Sequence, residues 1–152
     1  MARLPSTSLN GTLFNHPIPS LRILNLEDNN FVTDEVVARI SMNCKGLEQL
    51  SLASCLFISN LEKLEDLPSL TCLDLSDCKR LSDAALINIS KVWKKLEEIN
   101  LASCFGITAV GASAVISCSA LKRVNLSNCR AITNPNAVIL LASQNLQVLE
   151  RL

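Results

Sequence analysis

Residues 70–86 read LTCLDLSDCKRLSDAAL, and the fold can be predicted from this segment because most of its pattern is repeated along the chain. Its opening frame, L-x-x-L-x-L-x-x-C/N, starts six units that are 23 to 26 residues apart. The units begin at Leu21, Leu47, Leu70, Leu96, Leu121 and Leu146, and the last one stops early. Six occurrences in register indicate a tandem repeat.

Each unit carries the pattern of a short strand followed by a helix. The alternation x-L-x-L-x predicts a strand with one buried face. An apolar residue at position twelve and a pair such as Ser82-Asp83 predict the capped start of a helix. One unit cannot cover its own apolar faces, so we expect stacking about 4.8 Å apart around a shared interior. The inner row is predicted to contain Leu24, Leu50, Leu73, Ile99 and Val124.

The phrase resembles the cysteine-containing subfamily of leucine-rich repeats, L-x-x-L-x-L-x-x-C-x-x-I-[TS]-D-x-x-L. Residues 70–86 match closely, and residues 96–112 match with Ala109 in the place of the subfamily's Asp. The resemblance covers residues 21–152. It implies an α/β fold, a right-handed leucine-rich-repeat solenoid with a parallel concave sheet and helices on the convex side.

The same resemblance implies a non-catalytic protein-interaction module. In that subfamily the repeats most often form the substrate-recognising part of F-box proteins in ubiquitin ligases, and other members resemble scaffold subunits. The F-box is a separate helical module, which residues 1–20 do not show beyond Leu4-Pro5. Residues 1–20 are instead expected to form an irregular N-terminal segment or cap, using Leu9, Leu13, Phe14 and Ile18.

Two units depart from the common length. The second is three residues short, and Pro68 with leucines three apart predicts a tighter return than a full helix. The sixth ends just after its strand phrase, which predicts an open edge strand. A structural subunit that stacks this edge on another chain, self-association through the edge, and an isolated repeat fragment are therefore alternatives to substrate recognition.

The seven cysteines follow the register of the repeat. Four of them, Cys55, Cys78, Cys104 and Cys129, stand at position nine. An odd count in repeat register predicts reduced structural thiols whose S–H groups face loop backbone, with a redox role as the alternative. The chain has no C-x-x-C pair, so no metal site is expected. Reduced thiols predict a cytoplasmic or nuclear location.

Composition narrows the possible functions. The 14 basic and 14 acidic residues cancel, which argues against nucleic acid or a membrane surface as the partner. One His, no Tyr and four Gly argue against a catalytic triad, a cofactor and a phosphate-binding loop, so no enzyme is expected. The uncharged stretches 99–121 and 131–149 contain too many polar residues for a membrane span.

The outward strand positions, taken as three, five, seven and eight, predict a small, polar concave face. A protein-binding role for this face and a merely solvated face both remain open. The candidate binding residues are Glu27, Asp28, Asp74, Asp77, Glu98, Asn100, Arg123 and Asn125. Arg123 is the best single candidate because binding hot spots favour arginine.

Charge is graded along the repeats. Residues 21–98 carry thirteen acids and nine bases, whereas residues 99–149 carry three bases and no acid. A partner with the opposite gradient is expected to be steered onto this surface.

Phe31, Phe57 and Phe105, at positions ten and eleven, are expected to pack in the core or loops, with an exposed edge contact as the alternative.

Overall fold

The computed structural model describes residues 2–3, 14–133 and 147–149. In these ranges, seven short parallel strands form one sheet and follow one another in chain order. The strands are β1 (Ala2–Arg3), β2 (Ile23–Asn25), β3 (Gln49–Ser51), β4 (Cys72–Asp74), β5 (Glu98–Asn100), β6 (Arg123–Asn125) and β7 (Gln147–Leu149). The helices of the described residues are α1 (Asp34–Asn43), α2 (Asp83–Val92) and α3 (Ala109–Ile116).

The strand register brings the predicted inner row together. Leu24 pairs with Leu50, and the pairing continues through the equivalent residues of the next units. The five buried members of the row are Leu24, Leu50, Leu73, Ile99 and Val124. The prediction of a shared aliphatic interior under a parallel sheet, as in an α/β solenoid, is therefore confirmed.

The sheet extends beyond this row at both ends. Ala2–Arg3 pairs with β2, a strand that the sequence pattern did not indicate, and Val148 pairs with Val124. Phe14 is buried in the core, and Ile18 packs against it. The other predicted cap residues, Leu9 and Leu13, lie outside the described residues, as do Leu146 and residues 151–152.

In every described unit, the backbone at position eight changes from the extended to the left-handed conformation. The five residues have φ between 58° and 61°: Asp28, Ser54, Asp77, Ser103 and Asn128. This left-handed conformation lets the Asp28 amide donate to the Ala53 carbonyl oxygen of the next unit at 2.9 Å. Short polar side chains such as Asp and Asn enter this region at lower cost than others. The lateral ladder of backbone hydrogen bonds thus continues past the strands.

The second unit has no helix between residues 59 and 71, which confirms the predicted tighter return. Its backbone is held by the helices on either side. The Glu65 amide donates to Oγ of Ser41 in α1 at 2.9 Å, and the Glu65 carbonyl accepts from Nε1 of Trp93, just after α2, at 2.9 Å. Asn88 of α2 also donates to the Asn60 carbonyl at 3.0 Å. Neighbouring side chains therefore replace the hydrogen bonds that a helix would supply.

The expected helix caps form differently from the prediction. The hydroxyl of Thr108 accepts from the Val110 amide, but Thr33 and Ser82 make no such bond to their own helices. The next residue instead reaches across to the following unit. Asp83 accepts from the amide and hydroxyl of Thr108 at 2.8 and 2.6 Å.

The same cross-unit contact is made by Asp34, which accepts from the Ser59 amide and hydroxyl and from the Asn60 amide at 2.8 to 3.0 Å. Burial opposes ionisation of this carboxyl, but the hydrogen bonds from Asn60 and Ser59 outweigh it and lower the pKa of Asp34. The aspartate of the repeat therefore ties one unit to the next.

We predict that Ser41→Ala destabilises the protein by about 1–2 kcal/mol, because the Glu65 amide loses its acceptor. Ser117→Ala is the matched control. Both hydroxyls donate to the carbonyl three residues earlier at 2.7 Å, but only that of Ser41 also accepts from another unit. Urea unfolding measures both variants, and an equal loss in the two would contradict the bridging role.

We predict that Asp34→Asn lowers the free energy of unfolding by about 1–2 kcal/mol at neutral pH. The folded-state pKa of Asp34 is lowered, so its stabilisation is present above the ordinary value of 3.8 and is lost as the pH falls through the folded value. The deficit of the variant should therefore shrink between pH 5 and pH 3. Glu62→Gln, which changes an exposed carboxylate in the return that Asp34 contacts, is the control. A deficit that is constant with pH would refute this account.

Candidate functional site

A groove of about 340 Å³ runs across the exposed face of the sheet. It crosses the five strands β2 to β6, and its walls are the side chains at positions three and five. These residues are Ile23, Asn25, Gln49, Ser51, Cys72, Asp74, Glu98, Asn100, Arg123 and Asn125. Five of the eight predicted binding residues meet there: Asp74, Glu98, Asn100, Arg123 and Asn125.

The other three predicted residues lie past the strand ends. Glu27 and the two left-handed residues Asp28 and Asp77 follow strands that end at position five. The expectation that position eight is a strand position facing the concave sheet is therefore wrong. Its physical reason is the turn, in which the position-eight amide donates to the next unit, and neither Asp28 nor Asp77 lines the groove.

Position three supplies the most varied row of the groove. It begins with the exposed Ile23 and ends with an ion pair between Glu98 and Arg123, whose backbones are direct neighbours in the sheet. The two charged side chains are still 36% and 44% exposed. Arg123 is thus already oriented by a carboxylate while its outer edge remains open to a ligand.

The side chains at position five also stabilise the turn after the strand, a role that the sequence pattern did not indicate. The side-chain oxygen of Asp74 accepts from the Ser76 amide at 2.8 Å, and Asn125 accepts from the Ser127 amide at 3.0 Å. Such Asx turns close the chain as it leaves the strand. The preference for Asn or Asp at this position was the available signal. Asn100 makes the same turn and donates from Nδ2 to Asp74 at 3.2 Å.

The phenylalanines after the strands are exposed, so the expectation that they pack in the core is wrong and the alternative of an exposed position at the edge is supported. Phe31, Phe57 and Phe105 are 55%, 49% and 41% exposed, and Leu56 is 39% exposed. These four residues are called the aromatic rim below. Positions nine and twelve on either side point inward, so the two residues between them must bulge out.

The position-nine cysteines face backbone, as predicted. Each thiol lies 3.1 to 3.3 Å from the position-six carbonyl oxygen of the preceding unit. Burial raises the pKa of Cys55 to about 11 and that of Cys78 to about 12, and it also raises the pKa of Cys104 and Cys129. All seven cysteines are free. The column therefore has the features of structural thiols, which stay protonated at neutral pH.

Features of a metal site and of a membrane span are absent from the described residues. Among the described residues, no group of three or more His, Cys, Asp or Glu side chains is arranged to hold a metal ion. No helix in that part of the chain has the length and apolar character that crossing a membrane requires.

We predict that Cys72 and Cys118, which are partly exposed, react with a thiol reagent before the cysteines of the buried column. Peptide mass mapping after brief labelling of the native protein at pH 8 measures the order. The same labelling in denaturant serves as the control and should reach all seven thiols at similar rates. Early labelling of Cys78 or Cys104 would contradict the structure.

Comparison with known proteins supports the same architecture. A family model described as leucine-rich repeat matches residues 18–37 and 66–90. These segments contain β2 and β4 with the helical residues that follow, so the matches coincide with observed strand–helix units. No curated protein matches the chain significantly.

Leucine-rich-repeat domains are generally non-catalytic binding modules. The family matches, the parallel sheet and the stacked interior together support a leucine-rich-repeat fold. The chain therefore folds as an α/β leucine-rich-repeat solenoid, and its repeats indicate a protein-interaction module.

Proposed function

We propose that the groove binds a segment of a partner protein and that position three selects the partner. The observation that carries this proposal is a contrast between two rows of side chains. The row below the groove is uniformly aliphatic, whereas position three changes from Ile23 through Gln49 and Cys72 to Glu98 and Arg123. Packing therefore constrains the inner row, and nothing in the fold requires this particular outer sequence.

Position five contributes less to this choice. Its side chains at Asn25, Asp74, Asn100 and Asn125 hold the turns, so their oxygens are partly engaged. They nevertheless border the groove and leave polar atoms toward it. A partner that fits would place an apolar group near Ile23 and a polar or charged group against the Glu98–Arg123 pair.

The more specific proposal is substrate recognition in a ubiquitin ligase of the F-box type. It is supported by the resemblance of residues 70–86 to the cysteine-containing subfamily and by the open groove. The F-box would be supplied outside these repeats. Seven free cysteines, four of them in the buried column, favour the reducing cytoplasm or nucleus as the location. Self-association through the edge strand remains the alternative for the end of the sheet.

The test exchanges the two charges of the Glu98–Arg123 ion pair, so that the ion pair is kept but its direction is reversed. In the double variant Glu98→Arg with Arg123→Glu, the ion pair is preserved but each charge occupies the other's place. The matched control is Glu97→Lys with Lys122→Glu, which inverts an ion pair of 2.7 Å between the same two units without lining the groove. Proximity labelling in cells, followed by mass spectrometry, compares the proteins near each variant.

We predict that the groove exchange loses a defined set of neighbours that the wild type and the control both keep. Each lost neighbour should then bind the purified wild type directly, and its binding should weaken about tenfold in the exchange variant. Identical neighbours for all three proteins would overturn the groove as a binding site. If the groove partners are substrates of a ligase, their ubiquitylation should also fall; unchanged ubiquitylation would reject the ligase role and leave binding intact.

A further inference from the structure

Within residues 14–133, the aromatic rim contains four of the seven large apolar side chains that are exposed. Its four members, Phe31, Leu56, Phe57 and Phe105, are each at least 39% exposed. They stand on the loops beyond the carboxyl ends of the strands, on a different edge from the groove. Burial of such side chains against a partner is favourable, whereas the fold gains little from exposing them.

The bulge explains why these side chains face outward but does not require them to be apolar. Cys55 and Ile58 are both fully buried, and the intervening Leu56 and Phe57 are exposed. Lys79 and Arg80 occupy the same two places in the next unit and are also exposed. A polar residue therefore satisfies the fold there, and the phenylalanines are left without a structural reason.

At positions ten and eleven of the repeat, the large exposed side chains that do not belong to the aromatic rim are basic. Lys79, Arg80 and Arg130 lie on the loops of units three and five, and positions ten and eleven of the described units contain no acidic residue. The Nζ atom of Lys79 lies 3.9 Å from a carboxylate oxygen of Asp77. Within residues 14–133 no carboxylate lies within ion-pairing distance of Arg80 or Arg130. These three residues are called the basic group.

One contact joins the two sets. The guanidinium carbon of Arg130 lies 5.4 Å from the centre of the Phe105 ring, which is the distance of a cation–π interaction. The ring restrains the arginine, so less side-chain entropy is lost when an anion binds to it. Arg130 is thus prepared to receive a carboxylate.

The arrangement is polarised along the stack. The first two units present Phe31, Leu56 and Phe57, and the later units present the basic group around Phe105. At about 4.8 Å per unit, the loops of five units span roughly 19 Å, which an extended peptide of about six residues covers. A ligand that lies along the rim would meet apolar side chains first and positive charges second.

We propose that the aromatic rim and the basic group together form a second interaction surface, which takes a peptide segment of a protein partner with large apolar side chains at one end and acidic side chains at the other. Nucleic acid fits less well because Glu27 and Asp28 stand beside the apolar end. The proposal goes beyond the groove, and it does not depend on what the groove binds.

The test selects a displayed library of random twelve-residue peptides on the purified chain. Peptides retained by the wild type are then measured by fluorescence anisotropy against three variants. The first is Phe31→Ser with Phe57→Ser, the second is Arg80→Glu with Arg130→Glu, and the third is the groove exchange at Glu98 and Arg123. The substituted side chains of the first two variants are exposed and Glu98 is partly exposed, and circular dichroism melting confirms that each variant folds.

The selected peptides should combine aromatic or aliphatic residues with clustered acids. Binding should weaken about tenfold in each of the first two variants, weaken further with added salt, and stay unchanged in the groove exchange. The proposal fails if the enriched peptides lack acids, if the rim variants bind as well as the wild type, or if only the groove exchange weakens binding. It also fails if the rim variants abolish a dimer of the wild type in sedimentation, because the occupant would then be a second copy.

Discussion

The lateral backbone hydrogen bond between neighbouring units is the constraint on which the rest of the structure depends. Each strand has two or three residues and no hairpin partner, so its backbone hydrogen bonds are made with the units on either side. The left-handed residue at position eight adds one more such bond beyond the strand, as between the Ser54 amide and the Ser76 carbonyl at 2.8 Å. This repeated spacing fixes where every equivalent side chain lies.

At several positions of the repeat, equivalent side chains therefore make the same kind of contact in successive units. The thiol of Cys104 donates to the Leu75 carbonyl of the preceding unit, and Asp83 accepts from the Thr108 amide of the following one. Gly111 belongs to the same arrangement, because a Cβ there would lie 2.4 Å from the carboxylate of Asp83. Units are thus connected through the core, through the loops and through the helix starts, as expected for a solenoid whose stability resides in its interfaces.

The sequence predicted the features that follow from residue type and spacing. The row from Leu24 to Val124, the helix-free return of the second unit and the backbone-facing cysteines all appear as expected. The sequence did not predict where the backbone changes direction after the strands. Asp28 was placed on the strand because alternation does not reveal where φ changes sign, and Phe57 was placed inside because hydrophobicity does not reveal a bulge between two inward residues. Five candidate binding residues met at the groove because strand register alone positions them.

The return of the second unit has a consequence for how such a chain can grow or shrink. The backbone amide and carbonyl of Glu65 in this return are hydrogen-bonded to Ser41 on one side and to Trp93 on the other. The buried Leu61 takes a left-handed conformation with φ of 51°. A gene duplication of this unit alone would set two helix-free returns side by side, and each would have a helix on one flank only. Lineages that vary the number of repeats would therefore be expected to copy or delete this unit together with its neighbours.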